Sequence, residues 1–121
     1  MKIEKIEKDN KILALVTGKG IVITDIQSAL DMLMSVKYEM HTNKILIDKN
    51  VITEDFFILS SGLAGEILQK FVNYDLKIAI YGDYSGYTSK PLKDFIYESN
   101  HGKDVFFVES EDEAVKKLLS V

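Results

Sequence analysis

Apolar residues recur along this chain in two rhythms, one of period two and one near 3.6. Residues 2–7 (KIEKIE) alternate apolar and charged positions, and residues 11–17 (KILALVT) are apolar on both faces. Lys8-Asp9-Asn10 separates them, and Asp-Asn is turn chemistry, so the pair predicts a hairpin whose second strand is central. Gly18-Lys19-Gly20 breaks the run, and residues 21–23 read as a short extended piece. Thr24-Asp25-Ile26-Gln27 fits a capping box with Thr24 as the cap. Ile26, Ala29, Leu30, Leu33 and Val36 then follow at helical spacing, with a stop expected at Asn43. Residues 44–48 predict a short buried strand. Residues 49–60 predict a loop with one helical turn capped by Thr53 and with Phe56 and Phe57 turned inward.

A second helix is expected from Ser61, capped by Ser60 or Ser61 and ending at Asn73, because Leu63, Ala64, Ile67, Leu68, Phe71 and Val72 share one face. Residues 76–81 (LKIAIY) are apolar on both faces and predict the next strand. After a glycine-bearing loop at 82–87, Thr88, Ser89 and Pro91 open a third helix, since proline is tolerated in a first turn. Asn100-His101-Gly102 stops it. Residues 105–108 (VFFV) form the last strand, and Ser110-Glu111-Asp112-Glu113, a second capping box, opens the last helix. The order β-β-α-β-α-β-α-β-α predicts an α/β fold with a mostly parallel sheet, as one domain over residues 1–121. The charged N-terminal strand is expected at an antiparallel edge.

Composition narrows the chemistry. The 121 residues include no cysteine and no tryptophan, and only 2 histidines. A disulfide framework, a thiol nucleophile, a zinc finger and an iron–sulfur site are excluded, and a multi-histidine metal centre is disfavoured. No metal or cofactor is expected. Lys+Arg 15 against Asp+Glu 19 leaves a net charge of −4. The lysines are scattered, so nucleic-acid binding is not expected. No apolar run approaches membrane-spanning length, and residues 1–10 lack the apolar core of a signal peptide. The cytoplasm is the expected compartment.

In open α/β sheets, ligands sit beyond the carboxyl ends of the strands. That edge should collect Thr17-Gly18, Asp48-Lys49-Asn50, Gly82-Asp83-Tyr84-Ser85 and Glu109-Ser110. His41 and His101 end helices on the opposite edge, which leaves no His–Asp or Ser–His pair for nucleophilic catalysis. Asp48, Asp83 and Glu109 suit magnesium if they converge; otherwise they simply end strands and start turns. A receiver-type phosphoacceptor role for Asp48 lacks the required acidic pair and lysine. The loop 82–90 (GDYSGYTSK) offers an anion the start of a helix, with Thr88 and Lys90 beside it. It is not a P-loop. Tyr81, Tyr84 and Tyr87, three apart, either stack a ring or pack the loop down. Ser60 and Ser61 are either plain caps or phosphorylation sites, with Glu54 and Asp55 nearby in sequence.

The element order and Ser60-Ser61-Gly62-Leu63 resemble the STAS domains, the anti-sigma-factor-antagonist fold, with Leu59 at the position of the motif's aspartate. That resemblance implies a serine phosphorylated by a partner kinase. The strings Thr53-Glu54-Asp55-Phe56-Phe57, Gly62 to Tyr74 (GLAGEILQKFVNY) and Asp94 to Asn100 (DFIYESN) resemble an uncharacterised bacterial domain-of-unknown-function family. It brings no activity with it, and it makes Tyr97 to Asn100 a candidate partner contact. The leading reading is therefore a STAS-like regulatory or binding module without turnover. Its expected surface comprises Asp48, Thr53, Glu54, Ser60, Ser61, Asp83, Tyr84 and Ser85. A second reading is a small-molecule or nucleotide binder, or a weak enzyme, that uses the Gly82–Lys90 loop, with Thr88 and Lys90 at the helix start, to hold an anion and Asp48 and Asp83 as metal or general-base groups. A third is a self-associating domain, a homodimer built on Met32 and Met34 of the first helix.

Overall fold

The computed structural model describes all 121 residues. Its N-terminal hairpin joins β1 (Lys2–Lys8) to β2 (Lys11–Thr17), in register from Lys8 opposite Lys11 to Lys2 opposite Thr17. Asp9 and Asn10 close it with φ of 52° and 63°. Positive φ at both central residues is the twist a two-residue hairpin turn needs, and Asp and Asn tolerate it. The remaining elements are α1 (Ile26–Met40), β3 (Lys44–Asp48), α2 (Leu63–Asn73), β4 (Lys77–Tyr81), α3 (Lys90–Asn100), β5 (Val105–Val108) and α4 (Glu111–Leu119). The sheet runs β1-β2-β3-β4-β5, with one antiparallel pair and three parallel ones. The α/β order and antiparallel N-terminal edge expected from the sequence are those observed.

Sequential neighbours joined by right-handed crossovers place every connecting helix on one side of the sheet. Strand alternation then separates two cores. Ala14, Val16, Ile45, Ile47, Ile78, Ile80, Val105 and Phe107 face α1, α2 and α3. Leu13, Leu15, Leu46, Ala79, Phe106 and Val108 face α4, which contributes Ala114, Val115 and Leu118. No polar or charged residue is buried. Lys11 Nζ donates to the Leu119 carbonyl at 2.9 Å, and Lys44 Nζ donates to the carbonyls of Leu118, at 2.8 Å, and Val121. Two ammonium groups on the amino edge thus neutralise the C-terminal end of α4. Burial, with Lys11 and Lys77 nearby, lowers the Lys44 pKa. At the other margin, the Asn100 side-chain amide donates to the Phe107 carbonyl and accepts from its N–H, at 3.0 and 2.7 Å, closing the outer edge of β5. No helix is long and apolar enough to cross a membrane.

Several boundaries differ from expectation. The cap of α1 is Asp25, not Thr24: its carboxylate accepts from Ser28 N–H at 2.8 Å, and Ser28 Oγ accepts from Asp25 N–H at 3.1 Å. Gln27 bonds Asp31 instead. The helix ends at His41, in the left-handed region with φ 52°, while the Asn43 amide reaches across to the Asp75 carbonyl. The second helix starts at Leu63 behind Gly62, whose φ is 79°, because Ser60 and Ser61 are taken up in a 3-10 turn, Leu59–Ser61. Ser110 does cap α4, but Glu113 reaches the N–H of Glu109 rather than that of Ser110. Met32 is 1% exposed and belongs to the core, whereas Met34 is 45% exposed. Two residues apart on a helix point some 200° apart, so the pair cannot form one surface patch.

Both cores share one sheet. Leu33→Ala in the first core and Leu118→Ala in the second should each lower the unfolding free energy by about 3 kcal/mol in urea titrations. Each variant should keep a single cooperative transition; two resolved transitions would show the cores to be independent.

Candidate functional site

At the carboxyl end of β3, Asp48 turns the chain. Its carboxylate accepts from Asn50 N–H at 2.9 Å and opens a 3-10 turn, Lys49–Val51. Residues 51–53 then run alongside residues 22–23. Val22 and Ile23 donate to the Val51 carbonyl, and Thr53 donates to that of Ile23. A second 3-10 turn, Glu54–Phe57, follows. Thr53 stands at its cap position but makes no side-chain capping bond, contrary to expectation. Phe56 and Phe57 are buried as expected.

This arrangement brings Phe57 under the loop that follows β4. Phe57 stacks on Tyr87 with ring centroids 5.5 Å apart and meets Tyr84 edge-on at 6.0 Å. The Tyr84 hydroxyl donates to the Ile80 carbonyl at 2.9 Å, which pins the loop to its own strand. The Lys49 side chain lies among the three rings. Its ammonium is 4.9 Å from the centroid of Phe57, 4.8 Å from that of Tyr87 and 5.9 Å from that of Tyr84. Glu54 completes the enclosure, with Oε1 at 3.2 Å from Lys49 Nζ, and the Tyr87 hydroxyl donates to the same carboxylate at 2.9 Å. The Lys49 side chain is only 11% exposed. Gly82 makes this close approach feasible: a Cβ there would lie 2.6 Å from Lys49 Cβ.

Burial alone would lower the Lys49 pKa, but Tyr87 and Glu54 outweigh it and carry it upward. Burial also pushes the Tyr84 and Tyr87 phenols up. Tyr81 points to the opposite face of the sheet, in the α4 core, so it does not join the other two tyrosines. Burial, then Asp48, Glu111 and Glu4, push it up to about 12. Of the alternatives open for the tyrosines, Tyr84 and Tyr87 pack the loop down, and the ring they meet is the chain's own Phe57.

Every residue expected at the carboxyl edge lies there, but not all of them meet. Glu54 and Tyr84 join the enclosure. Ser60 and Thr88 line a neighbouring groove of about 530 Å³ with Ile58, Leu59, Tyr87 and Pro91. Ser61 is tied down: its hydroxyl donates to the Asp55 carbonyl at 2.7 Å and accepts from Leu63 N–H at 3.2 Å. Asp83 accepts from Ser85 N–H at 2.9 Å, and its bonds to Ser85 hold the carboxyl below its usual range. Lys90 leaves the loop to pair with Asp94 at 2.7 Å. Asp48 shares its sheet face with Leu46 and Tyr81. It does not meet Asp83 and Glu109, for no three His, Asp or Glu side chains come together to hold a metal ion.

Residues 8–118 match the model of a family described as a domain of unknown function, DUF4180. The chain belongs to that family. Among solved structures, a Thermotoga maritima protein described provisionally as an anti-sigma factor antagonist is 14% identical to this DUF4180 chain. Its TM-score is 0.47 over 97% of this chain and 94% of that one. No curated protein matches.

The residue that sequence reasoning did not single out is Lys49. One lysine after a strand looks like any solvated cation. The available signals were a tyrosine pair three apart and a glycine at the strand end, both in the loop 82–87, and neither names its partner.

Lys49, Tyr84 and Tyr87 all have folded pKa values above their unfolded ones, 10.5 for Lys and 10.0 for Tyr. The stability this linkage gives the DUF4180 fold is complete below pH 10.0 and is lost as pH rises through the folded values. Urea unfolding measured from neutral pH upward should therefore fall off above that pH, and Tyr84→Phe, which has no phenol to keep neutral, should show a shallower fall. Equal slopes would contradict the half-buried phenol.

Proposed function

We propose that this domain is a regulatory module that recognises a protein partner through its carboxyl edge and performs no turnover. The observation that carries the reading is how the polar groups there are used. Lys49, Glu54 and Tyr87 bond one another, Asp48 and Asp83 hold their own turns, and Ser61 holds the entry to α2. Catalysis needs a group free to exchange a proton or attack a substrate. Recognition needs a preformed surface, and ordering it beforehand lowers the cost of binding.

The open part of that surface is the groove between the 3-10 turns and the start of α3, where five of ten lining residues are hydrophobic. Ile58 is 52% exposed at its rim. Ser60 is exposed at the same rim while Ser61 is engaged, so Ser60 is the residue we assign as phosphoacceptor. A phosphate there adds charge close in sequence to Glu54 and Asp55 without disturbing a capping bond. The anion-binding alternative would need Lys90, whose ammonium is held by Asp94, and the helix start at Thr88, where Ser89 already accepts from Leu92 N–H.

A photo-crosslinking residue placed at Ser60 and, separately, at His101 on the opposite edge tests the reading in the native host. We expect one dominant adduct from position 60, lost in the additional presence of Tyr87→Ala, and none from position 101. Equal labelling from both positions, or no adduct from either, would contradict it.

A further inference from the structure

The two margins of the sheet are treated differently. The outer edge of β5 is closed by Asn100. The outer edge of β1 is open: β1 pairs with β2 alone. A two-residue hairpin turn makes Lys8 and Lys11 a hydrogen-bonded pair, and bonded pairs then alternate along the ladder. The N–H and C=O groups of Ile3, Lys5 and Glu7 therefore point outward, with no partner.

Cover also runs out at this margin. α4 packs over β4, β3 and β5 and reaches β2. Beyond it lies a cavity of about 400 Å³ lined by Ile6, Lys8, Glu111, Asp112, Val115 and Lys116. Ile6 is half-buried at its floor.

We infer that β1 is the seam of a homodimer, pairing antiparallel with β1 of a second copy about Ile6. The charge pattern selects both the occupant and the register. A two-fold axis perpendicular to the sheet keeps each face on its own side, so only registers that pair residues of like parity are allowed. Centring on Lys5 puts Lys5 against Lys5 and Lys2 against Lys8. Centring on Glu4 or Glu7 sets a glutamate against itself. Centring on Ile3 leaves only the start of the strand paired. Centring on Ile6 sets Ile6 against Ile6, Lys5 against Glu7 and Glu4 against Lys8, each charged pair occurring twice. In this register the outward-pointing residues Lys5 and Glu7 face each other as the hydrogen-bonded pairs. Ile6 of the second copy would lie beside the cavity that α4 leaves open. Charged edge strands commonly serve to prevent pairing, but here the two signs alternate so that one symmetric register is attractive throughout.

Sedimentation equilibrium at low ionic strength tests this with three proteins. The unaltered chain should show a monomer–dimer equilibrium that weakens with added salt. Lys5→Glu sets glutamates against each other across both copies and should weaken the dimer roughly tenfold or more. The swap Lys5→Glu with Glu7→Lys restores opposite charges and should recover most of the affinity. Both substitutions are on exposed positions, and circular dichroism checks that each variant folds. A concentration-independent monomer overturns the inference. So does a dimer that Lys5→Glu leaves unchanged, or one that the swap fails to restore. A dimer seam on β1 stands or falls independently of a partner site at Ser60.

Discussion

One enclosed cation organises the carboxyl edge of this sheet. The Lys49 ammonium sits among three aromatic rings and one carboxylate, and these groups come from two separate segments of the surface. Glu54 and Phe57 belong to the turn after β3, and Tyr84 and Tyr87 to the loop after β4. Taking an ammonium out of water is costly. Cation–π attraction is worth about 0.5–2 kcal/mol per well-placed ring, and the ion pair with Glu54 adds to it. Burial alone would lower the Lys49 pKa, and the hydrogen bonds and charges of Tyr87 and Glu54 carry it upward. The groove beside Ser60 borrows Phe57 and Tyr87 from the same assembly, so its shape depends on the cation staying in place.

The edges of the sheet divide the work of the domain. The amino edge is occupied with closing α4, for Lys11 and Lys44 are spent on its terminal carbonyls and the two histidines end α1 and α3. The carboxyl edge carries the preformed surface. The lateral margins are one closed strand and one open strand. This division follows from chain order: sequential parallel strands put three helices on one face, and a single terminal helix must cover the other.

Much of this was legible in the sequence, because periodicity and turn chemistry act locally. The hairpin at Asp9-Asn10, the doubly apolar central strands and the inward Phe56 and Phe57 all follow from neighbours a few residues away. Caps were legible only to within one or two residues. Thr24 and Asp25 are both good caps, and Gln27 and Ser28 both offer a return bond; the choice lies in which side chain closes the box. Ser60 and Ser61 read as helix caps, yet Asp55 draws Ser61 back into a 3-10 turn. The Lys49 enclosure was not legible, since its members lie as far as 38 positions apart in the chain (87 − 49) and meet only when β3 and β4 pair side by side. Gly82 is required there for a reason visible only once Lys49 is in place.

The carboxyl edge is organised in this way only if the Lys49 side chain lies against aromatic faces in solution. Proton NMR reads this directly, because ring currents displace the signals of methylene groups held over a ring. The Lys49 δ and ε protons should resonate clearly upfield of those of the other lysines, and Tyr87→Ser should move them back towards ordinary values while the β-sheet amide pattern persists. Lys49 signals that coincide with those of exposed lysines in the unaltered protein would contradict the account.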